Sequence, residues 1–155
     1  VNQTLPLLFH PKAIDMPQLF VTRKSHFNAA HKMHRADWSD AKNEEVFGKC
    51  ANKNWHGHNY ELFVTVVGEP NTETGYVIDL KDLSSLIERE VVEKLDHKNL
   101  NLDVPFMANK LASTENLVLE IWNILANEVT KLGECRLHSV KLYETERNFV
   151  EYFGG

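Results

Sequence analysis

The chain has 155 residues, 43% hydrophobic and 25% charged, which suits one soluble globular domain with a real hydrophobic core. A formal net charge of -5 excludes a basic footprint for nucleic acid, although a local pocket for a phosphorylated small molecule remains open. No apolar run reaches the length of a membrane span, and the start, Val1-Asn2-Gln3-Thr4-Leu5-Pro6, lacks a basic region followed by an apolar stretch. Cys50 and Cys135 are the only cysteines. A chain of this size needs no disulfide staple, so both are expected as free thiols in a reducing compartment, and the expected location is cytoplasmic.

Pro6, Pro11 and Pro17 mark residues 1–17 as an irregular N-terminal arm, and residues 18–155 as a single domain without repeats or linkers. A strand is expected from Leu19 to about His31. Residues 32–54 are polar and read as one long loop, a kind of segment that often carries function. Tyr60, Leu62, Val64 and Val66 then alternate with Glu61, Phe63, Thr65 and Val67, as in a strand with one fully apolar face. After a turn through Pro70 to Gly75, Tyr76-Val77-Ile78 is expected as its hairpin partner.

Asp79 is a good N-cap for a helix whose stripe is Leu80, Leu83, Leu86, Ile87, Val91 and Leu95. A second helix opens at Ser113 or Thr114 with Glu115 in its first turn, carries Leu117, Ile121, Leu125 and Val129, and stops at Gly133. Two strands close the chain, Leu137 to about Glu144 and Asn148 to Phe153. Segregated elements of this kind predict an α+β fold, an antiparallel sheet with two helices packed on one face.

The chemistry concentrates around His56-Gly57-His58. In a strand, side chains at i and i+2 share a face, so two imidazoles at this spacing converge on one point. Neutral imidazole is the commonest protein ligand of zinc, and a catalytic zinc takes three protein ligands and keeps a position open. His31 is the best third ligand, with His26 and His34 as competitors. The bland alternative is a pair of solvated imidazoles at a strand end.

Three more groups can complete a site. Asp96-His97 ends the first helix, where the dipole and the carboxylate favour a charged imidazole. Cys50 near such a group can act as a thiolate base. The competing reading makes His97 a helix cap and Cys50 a small buried hydrophobe. Glu144 follows an apolar strand; pointed inward it is a carboxylate needing a partner with two N–H donors, and pointed outward it is an ordinary solvated Glu.

Phe27-x-Ala29-x-His31, Phe47-Gly48-Lys49-Cys50, His56-Gly57-His58-Asn59-Tyr60, Leu95-Asp96-His97-Lys98-Asn99-Leu100, Ser113-Thr114-Glu115-Asn116 and Tyr143-Glu144-Thr145 stand in the order and near the spacing of the 6-pyruvoyl tetrahydropterin synthase family. The chain resembles that family over residues 18–153. The resemblance implies the tunnelling fold (T-fold), with sheets of several subunits joined into a barrel, two trimers stacked into a homohexamer, and active sites at subunit interfaces. It makes His31, His56 and His58 ligands of Zn2+. Cys50 matches the catalytic thiol, working with Asp96 and His97 as a proton relay. Glu144 matches the carboxylate that grips the pterin ring, supported by Thr114 and Glu115. The implied substrate is 7,8-dihydroneopterin triphosphate, rearranged by an internal redox step with loss of triphosphate.

Within the family, the gap between Cys50 and His56, Phe-Gly-Lys-Cys and Asp-Val-Pro resemble the animal-type 6-pyruvoyl enzymes. The alternative is a 6-carboxytetrahydropterin synthase of queuosine biosynthesis. A non-catalytic pterin-binding zinc protein is the reading outside enzymology. The N-terminal arm, His26, and Trp55 directly before His56 depart from the family pattern.

Overall fold

The computed structural model describes residues 17–155. The expected N-terminal arm lies, but for Pro17, outside the described residues. Strand β1 (Leu19–His31) and strand β2 (His56–Gly68) pair antiparallel over their whole length. β2 pairs on its other side with β4 (Cys135–Tyr143), across an irregularity between Thr65 and Val66, and β4 pairs with β5 (Phe149–Tyr152). A two-residue strand β3 (Lys98–Asn99) lies beside β1, so the sheet order is β3-β1-β2-β4-β5.

The helices cover one face of the sheet. Asp79 caps α2 (Leu80–Ile87) by accepting from the Lys81 N–H at 2.7 Å, and Ser113 caps α4 (Thr114–Val129) by accepting from the Asn116 N–H at 3.3 Å. Leu83, Ile87, Leu117, Ile121 and Leu125 are fully buried, as are Phe27, Tyr60, Leu62, Val64 and Leu142 of the sheet. The period-3.6 stripes and the period-2 alternation thus meet in one core.

Five expectations need correction. The sheet is mixed: its long pairings are antiparallel, but β3 runs parallel to β1, because the chain returns from the helices in the direction of β1. Tyr76-Val77-Ile78 forms no strand. Both edges of β2 are already taken by β1 and β4, so Val77 and Ile78 are buried without joining a ladder. The polar segment 32–54 contains a helix, α1 (Asp40–Phe47), followed by a 3-10 turn at Gly48–Ala51. Its only buried residue is Asn43, so hydrophobic periodicity carries no trace of it. Finally, the expected long helix is α2, a π turn at Glu88–Val92 and a last turn α3 (Glu93–Leu95); the second helix ends at Val129, earlier than Gly133.

Candidate active site

His31 ends β1 and His56 opens β2, and the two are cross-strand partners; Ala29 faces His58. Period-2 alternation puts His58 on the same face as His56, one step along. The three rings therefore meet, with centroids 4.5 Å apart for His31–His56, 5.0 Å for His31–His58 and 4.9 Å for His56–His58. One ligating atom from each lies within 4.8 Å of the others. His26 and His34 are not part of this group.

Hydrogen bonding fixes the ring of His31, which is 2% exposed. Its Nδ1 lies 2.6 Å from the Ala112 carbonyl oxygen. A carbonyl only accepts, so Nδ1 carries the proton and Nε2 keeps its lone pair. His31 Nε2, His56 Nδ1 and His58 Nε2 are buried with no hydrogen-bond partner among the described residues. Buried polar atoms normally find one. Burial is the main cause that lowers the pKa of all three histidines, so they are neutral near pH 7. Three neutral imidazoles with converging unpartnered nitrogens fit a divalent cation, with ligand positions left over.

The group borders a cavity of about 330 Å³ lined by His31, Met33, Cys50, Thr114, Glu115 and Glu144, among others. Glu144, directly after β4, is turned toward the histidines. Its side chain is 24% exposed, with Oε1 3.6 Å from His31 Nε2 and 3.8 Å from His58 Nε2. Thr114, the buried first residue of α4, donates its hydroxyl to Glu144 Oε1 at 3.0 Å. That bond leaves the carboxylate with acceptor capacity for a ligand with N–H donors. Cys50 is an exposed free thiol on this cavity. Its carbonyl accepts from the Met33 N–H at 2.8 Å, which ties the Cys50 turn to the chain just beyond His31.

Asp96 and His97 come together but not with Cys50. Asp96 Oδ2 lies 2.8 Å from His97 Nδ1, and Asp96 Oδ1 accepts from the Asn28 N–H at 2.7 Å. The Asn28 N–H, with His97 second, holds the Asp96 carboxyl below the ordinary aspartate range. His97 sits at φ 57° and donates its backbone N–H to the Asn28 carbonyl at 2.7 Å. The imidazole is 79% exposed and lines a different cavity, with Asn28, His58 and Asp103. Cys50 and His97 of one chain therefore face separate spaces.

Sequence reasoning missed the Ala112 carbonyl, because a backbone acceptor leaves no residue signature. It also missed Asn101, whose side-chain amide clamps the main chain of Lys32, and Tyr60 as more than a core aromatic. The Tyr60 hydroxyl is buried without a partner among the described residues, and burial keeps it protonated.

Residues 20–155 match the family described as 6-pyruvoyl tetrahydropterin synthase. The chain is 44% identical over 137 residues to the 6-pyruvoyl tetrahydrobiopterin synthase of Homo sapiens, covering 88% of this chain and 92% of that protein. The structure of Caenorhabditis elegans 6-pyruvoyl tetrahydropterin synthase superposes with a TM-score of 0.80 at 35% identity, over 90% of this chain and 98% of that one. Similarity to the 6-carboxy-5,6,7,8-tetrahydropterin synthase of Haemophilus influenzae is lower, 24% over 148 residues, 85% of this chain and 96% of that protein.

Proposed function

The chain belongs to the 6-pyruvoyl tetrahydropterin synthase family, and from that premise we propose that it converts 7,8-dihydroneopterin triphosphate to 6-pyruvoyl-tetrahydropterin with elimination of triphosphate. The observation that carries this reading is the convergence of His31, His56 and His58 beside a cavity that His31 lines together with Cys50, Thr114 and Glu144. The animal-type reading is favoured over the carboxy-forming branch by the difference between 44% and 24% identity. The fold is the T-fold of the family.

Zn2+ held by His31, His56 and His58 would supply a Lewis acid that polarises the hydroxyls of the pterin side chain. Glu144, braced by Thr114, accepts N–H bonds from the pterin ring and fixes its orientation, with Glu115 in the same wall. Cys50 is placed on the cavity to take a proton from a side-chain carbon. The oxidation of the side chain and the reduction of the ring balance each other, so no external reductant enters. A three-histidine set leaves coordination positions open, which argues against a purely structural metal. Asp96 and His97 form the second half of the proton relay. Because they face away from Cys50 in one chain, the relay closes in a homohexamer of two stacked trimers, with sheets joined into barrels that remove exposed edges.

Incubation with dihydroneopterin triphosphate, with product identified by mass and triphosphate counted, tests the reading. A stoichiometric 6-pyruvoyl product is expected. A 6-carboxy product moves the chain to the other branch, and pterin binding without turnover makes it a non-catalytic binder. Sedimentation of an active monomer would overturn the assembly.

A further inference from the structure

The ladder between β1 and β2 ends at its most demanding place. His31 and His56 are its last register pair, and fraying there would pull His31 and His56 away from each other and break the convergence of the three nitrogens. One step beyond, Lys32 and Trp55 face each other, and the Lys32 ammonium sits 4.4 Å from the centroid of the Trp55 ring.

Two further features make this pair more than a chance contact. Trp55 has φ 66°, a left-handed conformation that is unfavourable for a residue with a Cβ and free of that penalty for glycine. A tryptophan kept there in a strained backbone, next to a ligand, points to function. Its position is set by a tight turn: the Trp55 N–H donates to the Asn52 carbonyl at 3.1 Å, and the Asn54 N–H to Asn52 Oδ1 at 3.0 Å. Opposite, Lys32 is held by its main chain. Its N–H donates to Asn101 Oδ1, and its carbonyl accepts from Asn101 Nδ2, both at 3.0 Å. The amide of Asn101 thus replaces the strand partner that β1 no longer has.

We propose that Lys32 and Trp55 form a clasp that locks His31 and His56 in register and slows release of the metal. Both are positioning residues: neither touches the metal, and each acts through the histidine next to it. The clasp rests on the reading of the three histidines as a metal site.

The test measures release of Zn2+ from the reconstituted, assembled protein to a chromogenic chelator, with metal stoichiometry determined first. Lys32→Ala and Trp55→Gly should each speed release about fivefold to tenfold, the range of a partly desolvated cation–π contact. The double variant should release no faster than either single one, and Lys32→Arg should restore the slow rate, because guanidinium also stacks on an indole. Trp55→Gly separates the clasp from general weakening, because glycine accepts φ 66° and the metal-free chain should unfold at an equal or higher urea concentration. Release at the original rate in both single variants, or additive effects in the double, overturns the clasp. An original chain that holds no Zn2+ overturns the metal reading and the clasp together; full loading with unchanged release overturns the clasp alone.

Discussion

The Nδ1–H of His31 donates to the carbonyl oxygen of Ala112 across 2.6 Å, and this one bond decides which nitrogen of the most buried of the three histidines faces its two neighbours. Ala112 precedes the Ser113 cap of α4, so the helix that supplies Thr114 and Glu115 also orients His31, the proposed metal ligand. A backbone acceptor on a metal-binding imidazole fixes its tautomer and raises its basicity.

The first prediction concerns stoichiometry. The purified protein should hold about one Zn2+ per chain on three imidazoles. His31→Ala should lose most of it, and so should His58→Ala. His26→Ala and His34→Ala should keep it, because neither joins the cluster. Metal analysis after dialysis checks this, and retention of full occupancy in His31→Ala would refute the assignment.

The second follows from the lowered pKa values of His31, His56 and His58, which burial depresses below 6.5. Above pH 6.5 folded and unfolded chains both carry these rings neutral, and stability gains nothing from them. As pH falls below 6.5 the unfolded chain takes up protons first, so the folded state loses stability. The metal-free protein should therefore unfold at a lower urea concentration at pH 5.5 than at pH 7.5. Metal uptake should weaken in the same direction, since ligation needs the neutral ring. A urea midpoint that rises on acidification would contradict the burial argument.

Much of this is legible in the sequence, for definite reasons. The pair His56 and His58 is readable because strand alternation is strict: once β2 is a strand, His-x-His must converge. His31 stands out from His26 and His34 through the family resemblance, and its register opposite His56 is what brings it to the pair. The caps Asp79 and Ser113 are readable because their side chains satisfy free N–H groups at helix starts. What fails depends on tertiary context. Helix α1 buries only Asn43, whose amide donates to the carbonyls of Arg35, Trp38 and Ser39 while its oxygen accepts from the Arg35 N–H. It is held by polar bonds and shows no apolar stripe. Val77 and Ile78 look like a strand because they are apolar, yet no edge of β2 is free for them. The separation of Cys50 from His97 is invisible too, since motif order along the chain does not say which cavity each side chain faces.

The third prediction tests the docking of the Asp96–His97 pair onto β1. Asp96 binds both the Asn28 N–H and His97, and Asn28 also accepts from the His97 N–H. Asp96→Asn should cost about 1 kcal/mol, less than a buried charged hydrogen bond because the site is partly exposed and screened. The stability that Asp96 contributes is present above pH 3.8 and should fade as pH falls through its lower folded value. Denaturant titration of the variant at pH 7, with no change in stability, would show that the carboxylate does not anchor this turn.

The last prediction separates binding from chemistry on the cavity that Cys50 and Glu144 share. Cys50 is exposed, so Cys50→Ala removes a reactive group without opening a hole in the core. It should keep Zn2+ and bind pterin as before, while turnover falls by roughly 10²–10⁴-fold, the usual loss of a proton-transfer group. Glu144 acts differently. Its Oε1 accepts from Thr114 and stands 3.6 Å from His31 Nε2, where Glu144→Gln replaces a two-oxygen acceptor by one oxygen and an NH2 donor. One N–H of the pterin then meets a donor, so pterin affinity should fall while the metal stays. Thr114→Val should give a milder version of the same loss, because the hydroxyl only steadies the carboxylate. Equilibrium binding of a non-reacting pterin, measured beside single-turnover rates, distinguishes the two sites. Near-normal turnover in Cys50→Ala would remove the thiol from the reaction, and unchanged pterin affinity in Glu144→Gln would move the ring to another region of the cavity.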